Sequence, residues 1–373
     1  MKKSILSMLA IAALTFTSCN KDNDDNGGDN GSFELKVNDL KGDITEGVVT
    51  LDASETYTLT GALVVRSGAT LTIPAGTRIE SSATEEATSL YIAVERNATI
   101  NINGVAGNPV VMTSGKSSKA QSDWGGLVIC GNGIANTGAD GTSEVGALSY
   151  GGSDNSDSSG TIEYLRIEYT GAKFTASKEF NGVSFFAVGS GTTVNHIYAY
   201  ESGDDGIEFF GGAVNADHLV IENAYDDSLD FADGYVGTIN YVYISGVTKA
   251  GIEGSNNGND GAVTPMTDAT INNVSIVKGG TDFTASEQAI NFKEGGGKQA
   301  YTNLFVDGIA TACKISGDDT AAAARVSAGD FTITDYQFTE VGADLNVATF
   351  SGATTATGAG NGAAKPSWAS DIQ

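Results

Sequence analysis

Ile162-Glu-Tyr-Leu-Arg-Ile167 is the first copy of a six-residue pattern that recurs along the chain and decides its fold. The other copies are Val194-Asn-His-Ile-Tyr-Ala199, Ala216-Asp-His-Leu-Val-Ile221, Ile239-Asn-Tyr-Val-Tyr-Ile244, Ile271-Asn-Asn-Val-Ser-Ile276 and Tyr301-Thr-Asn-Leu-Phe-Val306. Successive copies begin 22 to 32 residues apart. This spacing is typical of solenoid proteins, in which each repeat buries its apolar side only against its neighbours.

A second, shorter pattern follows each copy of the first. It reads Gly182-Val-Ser-Phe-Phe186, Gly206-Ile-Glu-Phe-Phe210, Ser228-Leu-Asp-Phe231, Gly251-Ile-Glu253, Ala289-Ile-Asn-Phe292 and Ala312-Cys-Lys-Ile315. Its steps are 22 to 24 residues, except where an inserted loop lengthens one step to 38. Two strands repeated in constant relation predict an all-β fold, a right-handed parallel β-helix.

Alignment of the six-residue copies puts apolar residues in two columns. The first contains Leu165, Ile197, Leu219, Val242, Val274 and Leu304, and the second Ile167, Ala199, Ile221, Ile244, Ile276 and Val306. Alternate residues of a strand point to the same side, so these stacked columns predict a continuous core. A further column of Asn195, Asp217, Asn240 and Asn272 indicates a turn, because Asn side chains bond the neighbouring backbone.

The chain divides into four predicted segments. Residues 1–18 have the charged, apolar and small-residue regions of a signal peptide, and Cys19 resembles the lipidated residue of a bacterial lipoprotein. Residues 19–33 are expected to form a flexible acidic tether, and residues 34–318 the β-helix. Residues 319–373 are expected to form a C-terminal coil in which Phe331 to Trp368 cap the last turn of the solenoid. Residues 134–160 are expected to form a surface loop without a core of its own.

The charge of the chain limits its partners. The 373 residues carry a formal net charge of −26. Such a surface repels nucleic acid, which is therefore not expected as a partner, and it attracts divalent cations. The sequence contains no Ser-His-Asp order, nucleotide-binding loop, Cys-x-x-Cys pair or helical metal motif.

Acidic residues align where the second pattern begins. Asp204 aligns with Asp226, Asp205 with Asp227, and Glu208 with Asp230 and Glu253. Parallel strands lie about 4.8 Å apart, so these carboxylates repel one another unless a cation or a proton lies between them. Hard oxygen ligands suit calcium, and the predicted ligands are Asp204, Asp205, Glu208, Asp226, Asp227 and Asp230. The alternative, solvated acids in a turn, stays open.

Lys249 continues the column of Asp204 and Asp226 on the next coil. Carboxylate-bound calcium beside a basic residue is the arrangement with which pectate lyases remove a proton from a uronate. This gives an enzyme hypothesis in which Lys249 is the general base. The alternative is that Lys249 simply compensates the charge of the acidic column.

Aromatic residues form another column on the outer side. Tyr164, His196, His218 and Tyr241 align, and Tyr198 and Tyr243 lie two residues further along their strands. Outward rings of this kind are candidates for stacking on sugars, so these six residues are the predicted glycan-binding set. The alternative is a ladder of side chains that stabilises the outer sheet.

Several segments resemble a family of uncharacterised Bacteroidetes surface lipoproteins. They are Trp124-Gly-Gly-Leu-Val-Ile, Tyr150-Gly-Gly-Ser-Asp, Ser202-Gly-Asp-Asp-Gly-Ile-Glu-Phe-Phe-Gly-Gly and Asp226-Asp-Ser-Leu-Asp-Phe. The resemblance implies a pectin-lyase-like β-helix and no established activity. The acidic residues after Cys19 are similar to the tag that sends such lipoproteins to the outer face of the outer membrane.

Two functions follow as hypotheses. The first is a non-enzymatic, lipid-anchored protein on the outer membrane, facing the cell exterior as a coat component that binds other copies of itself or as a glycan-binding adhesin. The second is a calcium-dependent lyase that acts on acidic polysaccharides. A fold of this kind does not by itself decide between them.

Overall fold

The computed structural model describes residues 33–279, 288–317, 319–342 and 348–373. The predicted signal peptide, Cys19 and residues 20–32 of the predicted tether lie outside these ranges. No helix within the described ranges is long and apolar enough to cross a lipid bilayer.

The described residues are mostly strands. In chain order these are β1 (Leu40–Ile44), β2 (Val48–Thr50), β3 (Thr56–Val65), β4 (Thr70–Pro74), β5 (Arg78–Ser81), β6 (Ile92–Val94), β7 (Thr99–Asn103), β8 (Val110–Ser114), β9 (Leu127–Cys130), β10 (Gly141–Thr142), β11 (Ser149–Tyr150), β12 (Gly160–Glu168), β13 (Lys173–Thr175), β14 (Lys178–Glu179), β15 (Val183–Phe186), β16 (Thr193–Tyr200), β17 (Ile207–Phe210), β18 (Asn215–Glu222), β19 (Leu229–Ala232), β20 (Thr238–Ser245), β21 (Ala250–Ser255), β22 (Asp268–Val277), β23 (Gln288–Lys293), β24 (Lys298–Asp307), β25 (Thr311–Ile315), β26 (Phe331–Thr339) and β27 (Thr349–Ser351). One α-helix, α1 (Thr320–Ala328), and 3-10 helices at Ala87–Ser89 and Ser367–Ile372 complete the described elements.

Apart from two antiparallel hairpins, β10–β11 and β13–β14, the strands stack in parallel on three faces, which confirms the predicted right-handed parallel β-helix. Face A consists of β2, β4, β7 and the first halves of β12, β16, β18, β20, β22, β24 and β26, followed by β27. Face B consists of the first half of β3, then β5, β8 and the second halves of β12, β16, β18, β20, β22, β24 and β26. Face C consists of β1, the second half of β3, β6, β9, β15, β17, β19, β21, β23 and β25.

The sequence predicted two strands in each coil, whereas the structure has three faces. The difference arises because the long strand of each coil bends at a corner between faces A and B. Each long strand bends at one residue with left-handed backbone, where the pairing with the neighbouring strand is interrupted. These residues are Tyr164, His196, His218, Tyr241, Asn273, Asn303 and Asp335, with φ between 48° and 59°. The predicted Asn column lies one residue earlier, and in it Asn272 Nδ2 donates to Asn240 Oδ1 at 2.9 Å. Non-glycine residues are uncommon in this backbone conformation, and Tyr is not among the residues enriched in it, so the pattern alone did not predict a corner there.

The core fills the inside of the coils, as predicted. No member of the two apolar columns is more than 2 % exposed. On face C, the rings of Phe185 and Phe209 stack at 4.9 Å. The ring of Tyr235 lies 4.9 Å from Phe209 on the other side.

Residues 134–160 differ from the expected coreless loop. Val145, Leu148 and Tyr150 are buried in a second apolar cluster on the outer side of face C. The ring of Tyr150 packs 5.0 Å from that of Phe186. Val128 and Cys130 of β9 and Phe186 of β15 are apolar and point outward, so this segment covers them and excludes water.

The C-terminal region also differs from the predicted cap. The coil continues beyond residue 318, because β26 pairs with β24 and β27 pairs with β26. Asp319 caps α1 by accepting the Ala322 N–H at 2.9 Å, and Ala322 is buried in the coil core. Residues 353–373 then leave the end of the solenoid and lie against its side.

Substitution of Phe209 tests this core. Its ring is fully buried, so Phe209→Ala should lower the free energy of unfolding by about 3–5 kcal/mol. Urea denaturation followed by circular dichroism measures the change. Val48→Ala is the control, because Val48 is 69 % exposed and its loss should cost less than about 0.5 kcal/mol. Equal losses in the two variants would contradict the assigned core.

Candidate functional site

The acidic residues of the second pattern lie on the outer side of face C. One column there reads Ser184, Glu208, Asp230, Glu253, Asn291 and Lys314 on successive coils. We name Glu208, Asp230 and Glu253 the acidic stack. Although they point away from the apolar core, these three residues are only 6–8 % exposed. They are therefore not solvated acids in a turn, which was the alternative to a metal site in the sequence analysis.

A parallel ladder next to the acidic stack joins the coils through hydrogen bonds. Asp205 Oδ1 accepts the backbone N–H of Asp227 at 2.9 Å, and Asp227 Oδ1 accepts that of Ala250 at 2.8 Å. Asn181 Oδ1 begins the series by accepting the Asp205 N–H at 3.3 Å. Each side chain therefore fixes the turn of the next coil, which gives Asp205 and Asp227 a structural role.

Hydrogen bonds satisfy the acidic stack at its two ends but only in part at its centre. Asn181 Nδ2 donates to Glu208 Oε2 at 2.6 Å. Glu253 accepts from Asn291 Nδ2 at 2.7 Å and from Lys293 Nζ at 2.6 Å. Asp230 lies between the two glutamates, and its buried Oδ1 has no hydrogen-bond partner among the described residues.

Burial and mutual repulsion raise the pKa of these carboxyl groups. Burial is the first cause of the raised pKa of Asp205, Glu208, Asp227 and Asp230. The second cause of the raised pKa is a neighbouring carboxylate: Asp227 for Asp205, Asp230 for Glu208, and Glu253 for both Asp227 and Asp230. Ionised groups at this spacing need a cation, and in its absence they need shared protons.

The geometry brings all six predicted metal ligands together. Together with Glu253, which was not among the predicted ligands, they form three overlapping groups, each with one ligand atom per residue and all atoms of a group within 4.8 Å of one another. The groups are Asp204, Asp205 and Asp226; Asp205, Glu208 and Asp230; and Asp227, Asp230 and Glu253. Each group thus offers three carboxylate oxygens, the type of ligand that suits a hard cation such as calcium.

The edge of this cluster is more exposed and contains Lys249. Its ammonium forms an ion pair with Asp226. Burial lowers the pKa of Lys249, but the hydrogen bond to Asp226 and the nearby acids outweigh burial, and the net pKa is raised. Burial, together with Asp226, raises the pKa of Asp204 to about 7. The arrangement holds Lys249 in its protonated form, whereas a general base must be neutral.

Two further acids lie near the cluster, of which Glu144 could not be recognised in the sequence, whereas Asp233 follows Asp230 on the same coil. Burial raises the pKa of Glu144, on the 134–160 segment, to about 7. Burial and Glu294 raise the pKa of Asp233 to about 6. Glu144 reaches the cluster only through the packing of a long insertion, so no spacing signal could have revealed it. Asn291, by contrast, follows directly from the column that contains Glu253.

The predicted glycan-binding residues do not form an open platform. Ring centroids of Tyr164 and His196 lie 4.2 Å apart, those of His196 and His218 4.4 Å, and those of His218 and Tyr241 4.7 Å. The ring planes are within 14° of parallel, so each ring covers the face of its neighbour on which a sugar would stack. Tyr198 and Tyr243 are each only 6 % exposed, because the C-terminal residues cover them. The alternative, a ladder of stacked side chains, describes this column.

Comparisons with known proteins agree with the fold. The sequence pattern of the family described as "Pectate-lyase like beta helix domain" matches residues 42–373. No curated protein matches the chain. The catalytic unit of the thermostable GH87 alpha-1,3-glucanase from Streptomyces thermodiastaticus strain HF3-3 is similar with 15% identity and a TM-score of 0.30, over 88% of this chain and 68% of that one. The Dettilon tailspike protein is similar with 13% identity and a TM-score of 0.24, over 82% and 61%.

The two structural likenesses are too distant to carry an argument about activity. The family match, in contrast, spans nearly all of the described solenoid, from β1 to the C-terminal residues. The chain belongs to the family of pectate-lyase-like β-helix domains.

Proposed function

We propose that this chain is a non-enzymatic cell-surface lipoprotein whose β-helix is a rigid body, a coat component or adhesin, with calcium bound in the acidic stack. The observation that carries the proposal is the position of Asp230. Its carboxylate is buried between Glu208 and Glu253, and one of its oxygens lacks a hydrogen-bond partner among the described residues. A buried charge without a partner is costly, and a bound cation removes that cost.

A cation there would have a structural effect. Glu208, Asp230 and Glu253 belong to successive coils, so an ion bound by two of them cross-links strands that are far apart in sequence. Asp205 and Asp227 hold the same coils through backbone hydrogen bonds. The burial of the stack favours this role over catalysis, because a polymeric substrate needs ligands that it can reach.

The location rests on the sequence. Cys19 and the acidic residues after it support a lipid anchor in the outer membrane, with the β-helix facing the cell exterior. The likeness to Bacteroidetes surface lipoproteins supports the same location. Other copies of the chain, or glycans, are the partners that a coat or adhesin requires.

A calcium-dependent lyase is the second candidate. One observation favours it: Asp204 and Asp226 are partly exposed at the edge of the cluster, and Lys249 contacts Asp226. The ion pair with Asp226 opposes it, because this pair keeps Lys249 protonated while the acids hold no cation, and a protonated lysine cannot accept a proton from substrate. We therefore place it second.

Calcium binding is the direct test. Calorimetric titration of calcium into the protein should show binding, and the melting temperature should rise with calcium and fall with a chelator. Asp230→Asn should abolish the calcium-dependent rise in melting temperature, because it removes the central charged ligand. Asp268→Asn is the matched control, because Asp268 is exposed at the start of β22, and it should keep the full response.

Two results would overturn parts of this proposal. If calcium does not bind and the melting temperature is the same in chelator, the proposed metal site is wrong. Release of unsaturated product from a polyuronate by the wild-type protein, and its loss in Lys249→Ala, would replace the non-enzymatic function with the lyase.

The pH dependence of stability in chelator is a separate prediction. Burial and neighbouring acids raise the pKa of Asp205, Glu208, Asp227 and Asp230, and that of Asp204 to about 7, whereas these groups titrate near 4 in the unfolded chain. The folded state then binds more protons, so the free energy of unfolding should fall as the pH rises from about 5 to about 8. Urea denaturation measures this slope. Asp230→Asn should flatten it, and an unchanged slope would contradict the assignment.

A further inference from the structure

The C-terminal residues 353–373, which we name the strap, run back along the outer side of face B. The strap starts on the last coil, where the Tyr336 N–H donates to Ala353 O at 2.8 Å. It ends beside the loop after β7, where the Gly107 N–H donates to Asp371 O at 2.9 Å. Between these points it crosses from β26 to β12, roughly 30 Å at about 4.8 Å per strand.

The strap covers an apolar surface on the outer side of face B, and the apolar side chains that it buries there are mostly small. Tyr198, Val220, Tyr243 and Phe305 lie beneath it and are at most 7 % exposed. The strap approaches closely at Gly358, where a Cβ atom would lie 2.2 Å from Ser275 Oγ. Its buried apolar side chains, apart from Trp368, are small or aliphatic. Lys365 adds an ion pair with Glu222 at 2.6 Å, and no part of the strap pairs with a strand of the coils beneath.

Trp368 is the largest side chain of the strap, and it packs on the stacked histidines. Its ring lies edge-on to His218 at 4.7 Å and to His196 at 6.2 Å. The two imidazoles are stacked 4.4 Å apart and 2° from parallel. His196 is 9 % exposed, and its Nδ1 is buried without a hydrogen-bond partner among the described residues.

If the two imidazoles were protonated, the surrounding carboxylates would balance the charge of one ring better than that of the other. From β18, the Asp217 carboxylate contacts His218 Nδ1. From the strap, Asp371 exerts a weaker attraction on His196. The remaining neighbours, Tyr164 on β12 and Tyr241 on β20, present neutral ring faces. One imidazolium can be balanced here, whereas a second would face a like charge across the stack.

We propose that the His196–His218 pair is an acid-sensitive latch: protonation of both rings disrupts the stack on which Trp368 packs and releases the strap from face B. Release uncovers the apolar surface of Tyr198, Val220, Tyr243 and Phe305. The coils remain folded, because the strap contributes no strand to their pairing. This conformational change is independent of the acidic stack, which lies on face C.

The direction of the pH effect follows from linkage. Burial and the neighbouring His218 lower the pKa of His196 to about 4, against about 6.5 when the strap is released. The docked state therefore disfavours the proton, and docking weakens as the pH falls through about 6.5 toward about 4. Protonation of His196 alone should raise the equilibrium constant for release of the strap roughly 30-fold between about pH 7.5 and about pH 5. The acidic stack shifts global stability in the opposite direction.

Fluorine NMR of the protein labelled with 5-fluorotryptophan tests the latch. The two tryptophans give separate signals, and Trp368→Phe assigns them. On acidification from about pH 7.5 to about 4.5, the Trp368 signal should move to a solvent-exposed position. Trp124, which is 1 % exposed in the coil core, should not move and so reports that the solenoid is intact.

The matched variant is His196→Phe with His218→Phe, which keeps two stacked rings and removes their titration. Its Trp368 signal should be independent of pH, and the same transition in this variant would overturn the latch. If the variant does not fold, histidine NMR of the wild-type protein decides the question. The midpoint of imidazole titration should coincide with that of the Trp368 shift, and a separation of more than one pH unit, or a Trp368 signal that never moves, would overturn it.

Discussion

Stacking at about 4.8 Å is the constraint on which the rest of this structure depends. Every side chain on a coil lies directly beside its equivalents on the neighbouring coils, so each column must be compatible with itself. Apolar columns satisfy this condition by burial, and they form the core from Leu165 to Leu304. Polar columns satisfy it only when hydrogen bonds, protons or cations join their members.

The acidic columns show two solutions to this requirement. Asp205 and Asp227 each accept a backbone N–H from the next coil, which converts a repulsive pair into a connection between turns. The acidic stack has no comparable solution at its centre, where Asp230 is enclosed by Glu208 and Glu253. The two histidines at the corner between faces A and B pack by ring stacking instead. The acidic stack is therefore a region that favours bound cations, whereas burial and His218 make protonation of His196 unfavourable at the corner.

Most of the solenoid could be predicted from the sequence because its repeats share one register. The apolar columns, the alignment of Asp204 with Asp226 and of Glu208 with Asp230, and the position of Lys249 all follow from spacing alone. The left-handed corner at His196 and His218 could not, since Asn and Asp are the residues typical of that backbone. Glu144 and the strap were also inaccessible, because an insertion and a chain end pack against the coils through contacts that have no period. The strap in turn explains why Tyr198 and Tyr243, which point outward, are nevertheless buried.

The central claim is that a cation compensates the charge of the acidic stack. Crystals grown with calcium, measured at a long X-ray wavelength, would locate the ion by its anomalous scattering. The account predicts a peak bonded to an Asp230 oxygen and to at least one carboxylate of a neighbouring coil. A well-ordered map without such a peak, in which the stacked carboxyl groups bond directly to one another, would show that protons hold the stack together and would contradict the claim.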